Sequence, residues 1–218
     1  MRRPMIGEGY IVDILRRLGI YGPYSLTRHG PLHDDGWFRS YRAGASIDAS
    51  GAPLPWITYP AIEFISRRVS PDMSVFEYGS GNGTLWWSTR CRDVLSVEHD
   101  AAWVKTLLDR IPENVLLHHI ELDYGGEYSR KIGEFECRFD VVVIDGRDRV
   151  NCARHCVPAL KSSGIIVFDD TERPAYAEGV AILLRSGFRK IEFVGLSPAA
   201  NTKSETSIFY RPGNVFGI

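Results

Sequence analysis

Two groups of residues in this chain have the types and spacing to do chemistry. The first surrounds a turn with glycines at 79, 81 and 83, in the stretch SVFEYGSGNGTLWW that begins at Ser74. Glu77 stands two residues before the first glycine, and Glu98 closes the next apolar run, in SVEHD. Glycines allow positive φ and let another backbone or a ligand approach closely; a tight turn built for packing alone is the plainer reading of the same residues. A carboxylate at the second strand end can accept two hydrogen bonds from a ribose diol. Glu77 would repel a pyrophosphate there and attract a cationic amino-acid tail. The second group is Asp145 in VVVIDGRDR and the pair Asp169–Asp170 in IIVFDDTER, each at the end of an apolar run. Three carboxylates brought together repel one another unless a cation or a proton intervenes. Hard oxygen donors of this kind suit Mg²⁺ or a similar divalent ion. Asp148 is the candidate base for removing a nucleophile's proton, with a surface pairing to Arg149 or Arg154 as its alternative. Asp145 and Asp170 can also serve as contacts or caps without any metal.

These residues need a scaffold that delivers strand ends to one rim, and the chain has the pattern for one. Strand-length apolar runs occur at 74–78, 93–98, 114–120, 139–145, 164–170, 188–196 and 205–211. Helix-like segments fall at 85–89, 101–111, 152–160 and 175–186. Strands alternating with helices predict an α/β, Rossmann-like sheet of seven strands, mostly parallel, with helices on both faces. The last two runs are joined only by SPAANTKS, which predicts an antiparallel C-terminal hairpin. Ligands of such sheets bind outside the carboxyl ends of the strands. Ahead of this body, Tyr10, Ile11, Ile14, Leu15 and Leu18 recur at helical spacing, and 21–55 reads as loop or lid. A helix is expected to start near Pro60. The expected division is an extension over 1–60 and the α/β domain over 61–218.

The spacing G-x-G-x-G differs from the dinucleotide fingerprint G-x-G-x-x-G, and with Glu77 and Glu98 it favours S-adenosylmethionine over NAD. VFEYGSGNGT resembles the first motif of the class I S-adenosylmethionine-dependent methyltransferases, VEHD resembles their acidic second motif, and the terminal hairpin is similar to their antiparallel seventh strand. The resemblance spans 74–211. It implies that Gly79, Ser80, Gly81 and Gly83 line the methionine moiety, with Glu77, Thr84 and Asp145 in the same cofactor-contacting set. It implies Glu98 on the ribose, His99 beside the adenine, and Asp123 of IELDYGG near the adenine amine; an Asp in such a turn is also a common local cap. The aspartates resemble those of the metal-dependent O-methyltransferases of the catechol and macrolide-sugar types, which implies Asp145, Asp169 and Asp170 as metal ligands. A metal of that kind lowers the pKa of a bound hydroxyl and fixes its oxygen. The catechol type carries a lysine where this chain has Asp148. The resulting expectation is divalent-metal-assisted O-methylation of a small-molecule or sugar-like acceptor. The alternatives are a metal-independent methyltransferase of another acceptor and an inactive, cofactor-binding regulatory protein.

Composition narrows the partners. The 218 residues carry 26 Lys and Arg against 27 Asp and Glu, a net charge of −1 that creates no general attraction to nucleic acid. IDGRD after the fourth run, in place of an Asn/Asp-Pro-Pro-Tyr/Phe turn, also counts against base methylation. Four cysteines are too few for a disulfide framework, and Cys152 and Cys156 read as helix-core residues. No apolar run reaches the ~20 residues of a membrane span, and the N-terminus lacks a signal-peptide pattern, so cytoplasmic residence is expected. The first amphipathic helix suits a partner subunit as well as its own sheet, which leaves a homo-oligomer open. Trp86, Trp87 and Trp103 read first as core, with Trp103 also placed to flank the adenine, whereas Trp56 and Tyr59 can close over a cofactor. Arg147 and Arg173, beside the aspartates, can hold an anionic substrate group or pair with those acids.

Overall fold

A computed structural model describes residues 6–218 of the chain. The N-terminal part holds α1 (Ile6–Arg17), α2 (Tyr21–Leu26), α3 (Pro31–Asp34) and α4 (Trp37–Ala43), followed by α5 (Tyr59–Ser66). The loop expected over 21–55 therefore contains three short helices. Each is 4–7 residues long, too short to show a periodic apolar face. Gly30 and Gly36, both at positive φ, set the starts of α3 and α4. α5 begins as expected, with its proline in the first turn, where no intrahelical donor is lost.

Beyond α5 the chain alternates: β1 (Ser74–Tyr78), α6 (Asn82–Ser88), β2 (Asp93–Glu98), α7 (Ala101–Leu108), β3 (Val115–His119), α8 (Glu127–Arg130), β4 (Phe139–Ile144), α9 (Arg149–Cys156), β5 (Leu160–Asp169), α10 (Ala177–Arg185), β6 (Arg189–Gly195) and β7 (Ser204–Tyr210). The strands form one sheet in the order β3-β2-β1-β4-β5-β7-β6. β1 to β5 run parallel, and β7 is antiparallel to both β5 and β6. The predicted seven-stranded sheet with an antiparallel C-terminal hairpin is thus the observed one.

Alternate side chains of each central strand enter opposite cores, because a strand's period is two. Phe76, Tyr78, Val142 and Ile144 pack with Cys152 and Cys156 of α9 on one face. Val75, Val141 and Val143 pack with Ala61 and Ile65 of α5 and with Trp86 and Trp87 of α6 on the other. Both cysteines and both tryptophans are core residues, as read from the sequence.

Chain order reverses between β1 and β4, which opens a crevice at the carboxyl ends of these two strands. Residues 44–57 cover it. A bridge between Ile47 and Pro53 folds that segment on itself, and Asn82 Nδ2 donates to the Ser46 carbonyl at 2.8 Å. The Thr58 amide bonds Thr206 Oγ1 at 3.0 Å, and the Tyr59 amide bonds the Leu196 carbonyl at 2.8 Å. Trp37 of α4 donates from Nε1 to the Ala200 carbonyl at 2.7 Å, which ties the N-terminal helices to the β6–β7 loop. By contrast, Tyr10, Ile11 and Ile14 on α1, and Leu18 just after it, are exposed. Among the described residues no helix is long and apolar enough to cross a membrane.

Candidate active site

The turn between β1 and α6 is assembled from interlocking hydrogen bonds. Glu77 is buried on β1, and its Oε2 accepts from Ser96 Oγ at 2.8 Å and from Thr84 Oγ1. Thr84 Oγ1 accepts in turn from the Gly81 amide at 2.9 Å. Burial, opposed by these two hydroxyl donors and reinforced by the nearby Glu98 charge, pushes the Glu77 carboxyl up to about 7. Both hydroxyls bond Oε2, and Glu77 is on the cavity wall, so the carboxylate keeps acceptor capacity for a ligand.

The three glycines do different jobs. Gly79 has φ +95°, and a Cβ there would lie 2.6 Å from the Gly146 Cα of the β4–α9 loop. A Cβ on Gly83 would lie 2.9 Å from Glu77 Oε1 and 3.6 Å from Pro55 Cα. These two glycines therefore admit other parts of the protein. Beside Gly81 the space is open up to Trp103, whose ring would be 3.9 Å from a Cβ. Trp103 Nε1 donates to the Ser80 carbonyl at 2.7 Å, and the ring stands on the cavity wall with 43% of the residue exposed. Of the two sequence readings of this tryptophan, core and cavity-flanking, the second matches its position: α7 buries Leu107 and turns Trp103 toward the crevice.

At the end of β2, Glu98 is buried beside the same turn. Its Oε2 accepts from the Ser80 amide at 3.0 Å, and its Oε1 from the His99 and Asp100 amides at 2.8 and 2.9 Å. Three backbone donors fix the carboxylate. His99 lines the cavity, and its Nδ1 stands 2.7 Å from Glu98 Oε1 without hydrogen-bond alignment. Asp123 is exposed in the turn before α8, next to Gly126, and is not on the cavity wall.

The aspartate cluster converges as the sequence suggested, with a different cation at its centre. α9 starts three residues earlier than expected, at Arg149, and this brings the Arg149 side chain one helical turn beyond Asp145. The guanidinium is buried. It stands 3.1 Å from Asp145 Oδ1, 3.0 Å from Asp170 Oδ2 and 3.7 Å from Asp169 Oδ2. It also donates to the Gly146 carbonyl at 3.0 Å and the Asp145 carbonyl at 3.2 Å, and it packs 5.0 Å from the Tyr176 ring centre. The residues expected to ligate Mg²⁺ therefore do not fit that role, because Arg149 already fills the space between them. Among the described residues no grouping of three or more His, Cys, Asp or Glu side chains is arranged to hold a metal.

Asp169 accepts from Thr206 Oγ1 at 2.6 Å, and Asp170 is further paired with Arg173 at 2.8 Å. Burial, partly offset by Arg149 and increased by the Asp170 and Glu77 charges, raises the Asp145 carboxyl to about 7. Burial and its two acidic neighbours raise Asp169 well above the usual carboxylate range. One guanidinium thus does not fully offset the crowding, and both carboxyls hold their protons to higher pH than usual.

Asp148, the candidate base by its spacing, is held away from the cavity. It sits at φ 50°, and its carboxylate accepts from the Gly125 amide and from Asn151 Nδ2, both at 2.7 Å. The left-handed conformation directs it to the α8 side, and it is not on the cavity wall. Asp148 fastens the 123–126 turn to α9.

The resulting cavity of about 610 Å³ runs along the sheet rim. Glu98, His99 and Trp103 border one end, the glycine turn and Glu77 the middle, and Asp145, Arg147, Asp170 and Arg173 the other end. Trp56, from the covering segment, is also on its wall and is half exposed.

Neither a family model nor a curated protein matches the sequence. Solved structures do. A precorrin-6y C5,15-methyltransferase from Geobacter metallireducens superposes with TM-score 0.55 at 14% identity, covering 70% of this chain and 87% of that one. The Rossmann-like seven-stranded fold is shared with that methyltransferase. An rRNA methylase from Streptococcus thermophilus gives TM-score 0.52 at 14% identity over 71% and 98% of the two chains. A Streptococcus mutans protein solved in complex with SAH gives 0.50 at 12% identity over 71% and 99%.

Proposed function

We propose that this protein is an S-adenosylmethionine-dependent methyltransferase that works without a divalent metal. The observation that carries this reading is the pairing of Glu77 and Glu98 across the glycine turn, at the point where strand order reverses. Glu98 is held by three backbone amides, so its position is fixed before any ligand arrives. It would accept the ribose hydroxyls, with His99 and Trp103 beside the adenine. Glu77, Gly79, Ser80, Gly81 and Gly83 would hold the methionine end, with Thr84 behind the wall fixing Glu77, and the ammonium would meet Glu77. The sulfonium methyl group of the bound donor supplies the electrophile.

The acceptor would then lie toward β4 and β5. Asp145 borders both regions, and a carboxyl titrating near 7 suits it to take a proton from a hydroxyl or amine as the methyl bond forms. Arg149 holds that carboxylate in place, which is the positioning that a metal was expected to provide. O-methylation of a small molecule remains the preferred chemistry. Relatives of this fold are named for acceptors as different as a precorrin and an rRNA, so acceptor identity has to come from this chain's own cavity. The SAH complex of the Streptococcus mutans protein supports the choice of donor.

Calorimetry with S-adenosylhomocysteine tests the reading first, and micromolar binding lost in Glu98→Ala is expected. Methyl transfer to a responsive acceptor should be undiminished by EDTA. Loss of turnover in EDTA, restored by Mg²⁺, would sink the metal-free mechanism. Binding without turnover on any acceptor would favour a cofactor-binding regulatory role.

A further inference from the structure

The charges along the cavity are separated in a way that specifies the acceptor. The β1–β2 end is acidic, with Glu77 and Glu98. The β4–β5 end has its acids already matched: Arg149 sits among all three aspartates, and Arg173 holds Asp170. Arg147 is left over. It follows Gly146 in the β4–α9 loop, is exposed, lines the cavity and makes no ion pair among the described residues. Arg173 contacts Asp170 through one nitrogen, and its side chain remains 55% exposed on the same wall. Ser197, Thr202 and Ser204 add hydroxyl donors across the crevice, from the β6–β7 loop and the start of β7.

We infer that the acceptor is an anion, a carboxylate- or phosphate-bearing small molecule whose charged group is anchored by Arg147 with Arg173 beside it. This rests on the methyltransferase reading only for the word acceptor; the anion site stands on the cavity itself. A guanidinium offers two parallel donors that match either group. An uncharged molecule filling this end would strip water from Arg147 and return nothing, which penalises neutral acceptors as well as favouring anionic ones. The same polarity keeps the anion away from the acidic end reserved for the cationic donor.

The test uses the full chain saturated with S-adenosylhomocysteine and two matched probe pairs followed by ¹⁹F NMR. These are 4-fluorobenzoate against 4-fluorobenzamide, and 4-fluorophenyl phosphate against 4-fluorobenzyl alcohol. At least one anionic probe should bind about tenfold tighter than its neutral partner, the range expected of a charge-assisted contact. Arg147→Gln should erase the preference while the S-adenosylhomocysteine affinity stays within about twofold, and Arg147→Lys should keep part of it. The pair that shows the preference identifies carboxylate or phosphate. Equal binding of neutral and anionic probes, no binding of either anion at millimolar concentration, or a preference that survives Arg147→Gln would each overturn the assignment. Failure of S-adenosylhomocysteine to bind would instead sink the donor reading, and the probe pairs could still be compared on the free protein.

Discussion

At one end of the cavity two buried carboxylates are surrounded by backbone amides and hydroxyls; at the other, three carboxylates are gathered around a buried guanidinium. The difference decides what each end can recruit. Neutral donors stabilise Glu77 and Glu98 in position without cancelling their charge, so this end still attracts a cation. Arg149 and Arg173 offset much of the aspartates' charge, and Arg149 occupies the space between them, so the other end does not accommodate a divalent ion. Two clusters with similar acidic composition thus acquire opposite ligand preferences from what stands next to them.

The strongest way to break this comparison is to remove the internal cation. Arg149→Ala leaves three acidic groups crowded without their partner and should cost about 3–5 kcal/mol of stability, measured by denaturant unfolding. Arg149→Lys should recover only part, since an ammonium cannot span carboxylates and carbonyls as the planar fork does. An unchanged unfolding midpoint in Arg149→Ala would mean the aspartates do not depend on it.

The acidic end predicts a pH dependence with a definite sign. Glu77 titrates near 7 in the free protein, and an ammonium prefers its ionised form, so donor-site affinity should rise with pH. S-adenosylhomocysteine should bind about tenfold more weakly at pH 6 than at pH 8, with proton release at pH 6. Glu77→Gln should flatten the profile; flattening by Asp145→Asn instead would relocate the ammonium to the other end. The same raised pKa values imply that stability falls as pH rises from the ordinary carboxylate range through 7, because the folded chain holds protons that the unfolded chain has released.

A smaller effect separates structure from chemistry within the second end. Asp148→Ala should lower stability by about 1–2 kcal/mol through the lost contacts to Gly125 and Asn151. Methyl-transfer turnover per folded molecule should be unchanged; a large drop in kcat would restore Asp148 as a base.

The two ends were also unequally legible in the sequence. Glu77 and Glu98 lie at the ends of apolar strands, and a parallel sheet delivers both to one rim, so their proximity follows from the alternation of elements alone. The role of Arg149 depends on where α9 begins. Placing that helix at 152 concealed the one-turn spacing from Asp145, and a helix start three residues earlier would have made the ion pair visible. Asp148 was unreadable for another reason: its positive φ and its partner Gly125, on a separate loop, are properties of tertiary packing. Trp103 is ambiguous because a single aromatic on a short helix satisfies a core or a cavity wall equally well. The helices of 21–43 carry no periodic signal, and Gly30, Pro31 and Gly36 at the starts of α3 and α4 are the local clues.

The approach of Gly79 to Gly146 has a mechanical consequence. The loops carrying the two ends touch backbone to backbone, with no side chain between them whose rotamer could shift the gap. The spacing between the two ends of the cavity is then a property of the chassis, inherited with the sheet. What can still differ around it are the parts that bolt on: the covering segment 44–57, the arginines after β4 and β5, and the loop that Trp37 tethers.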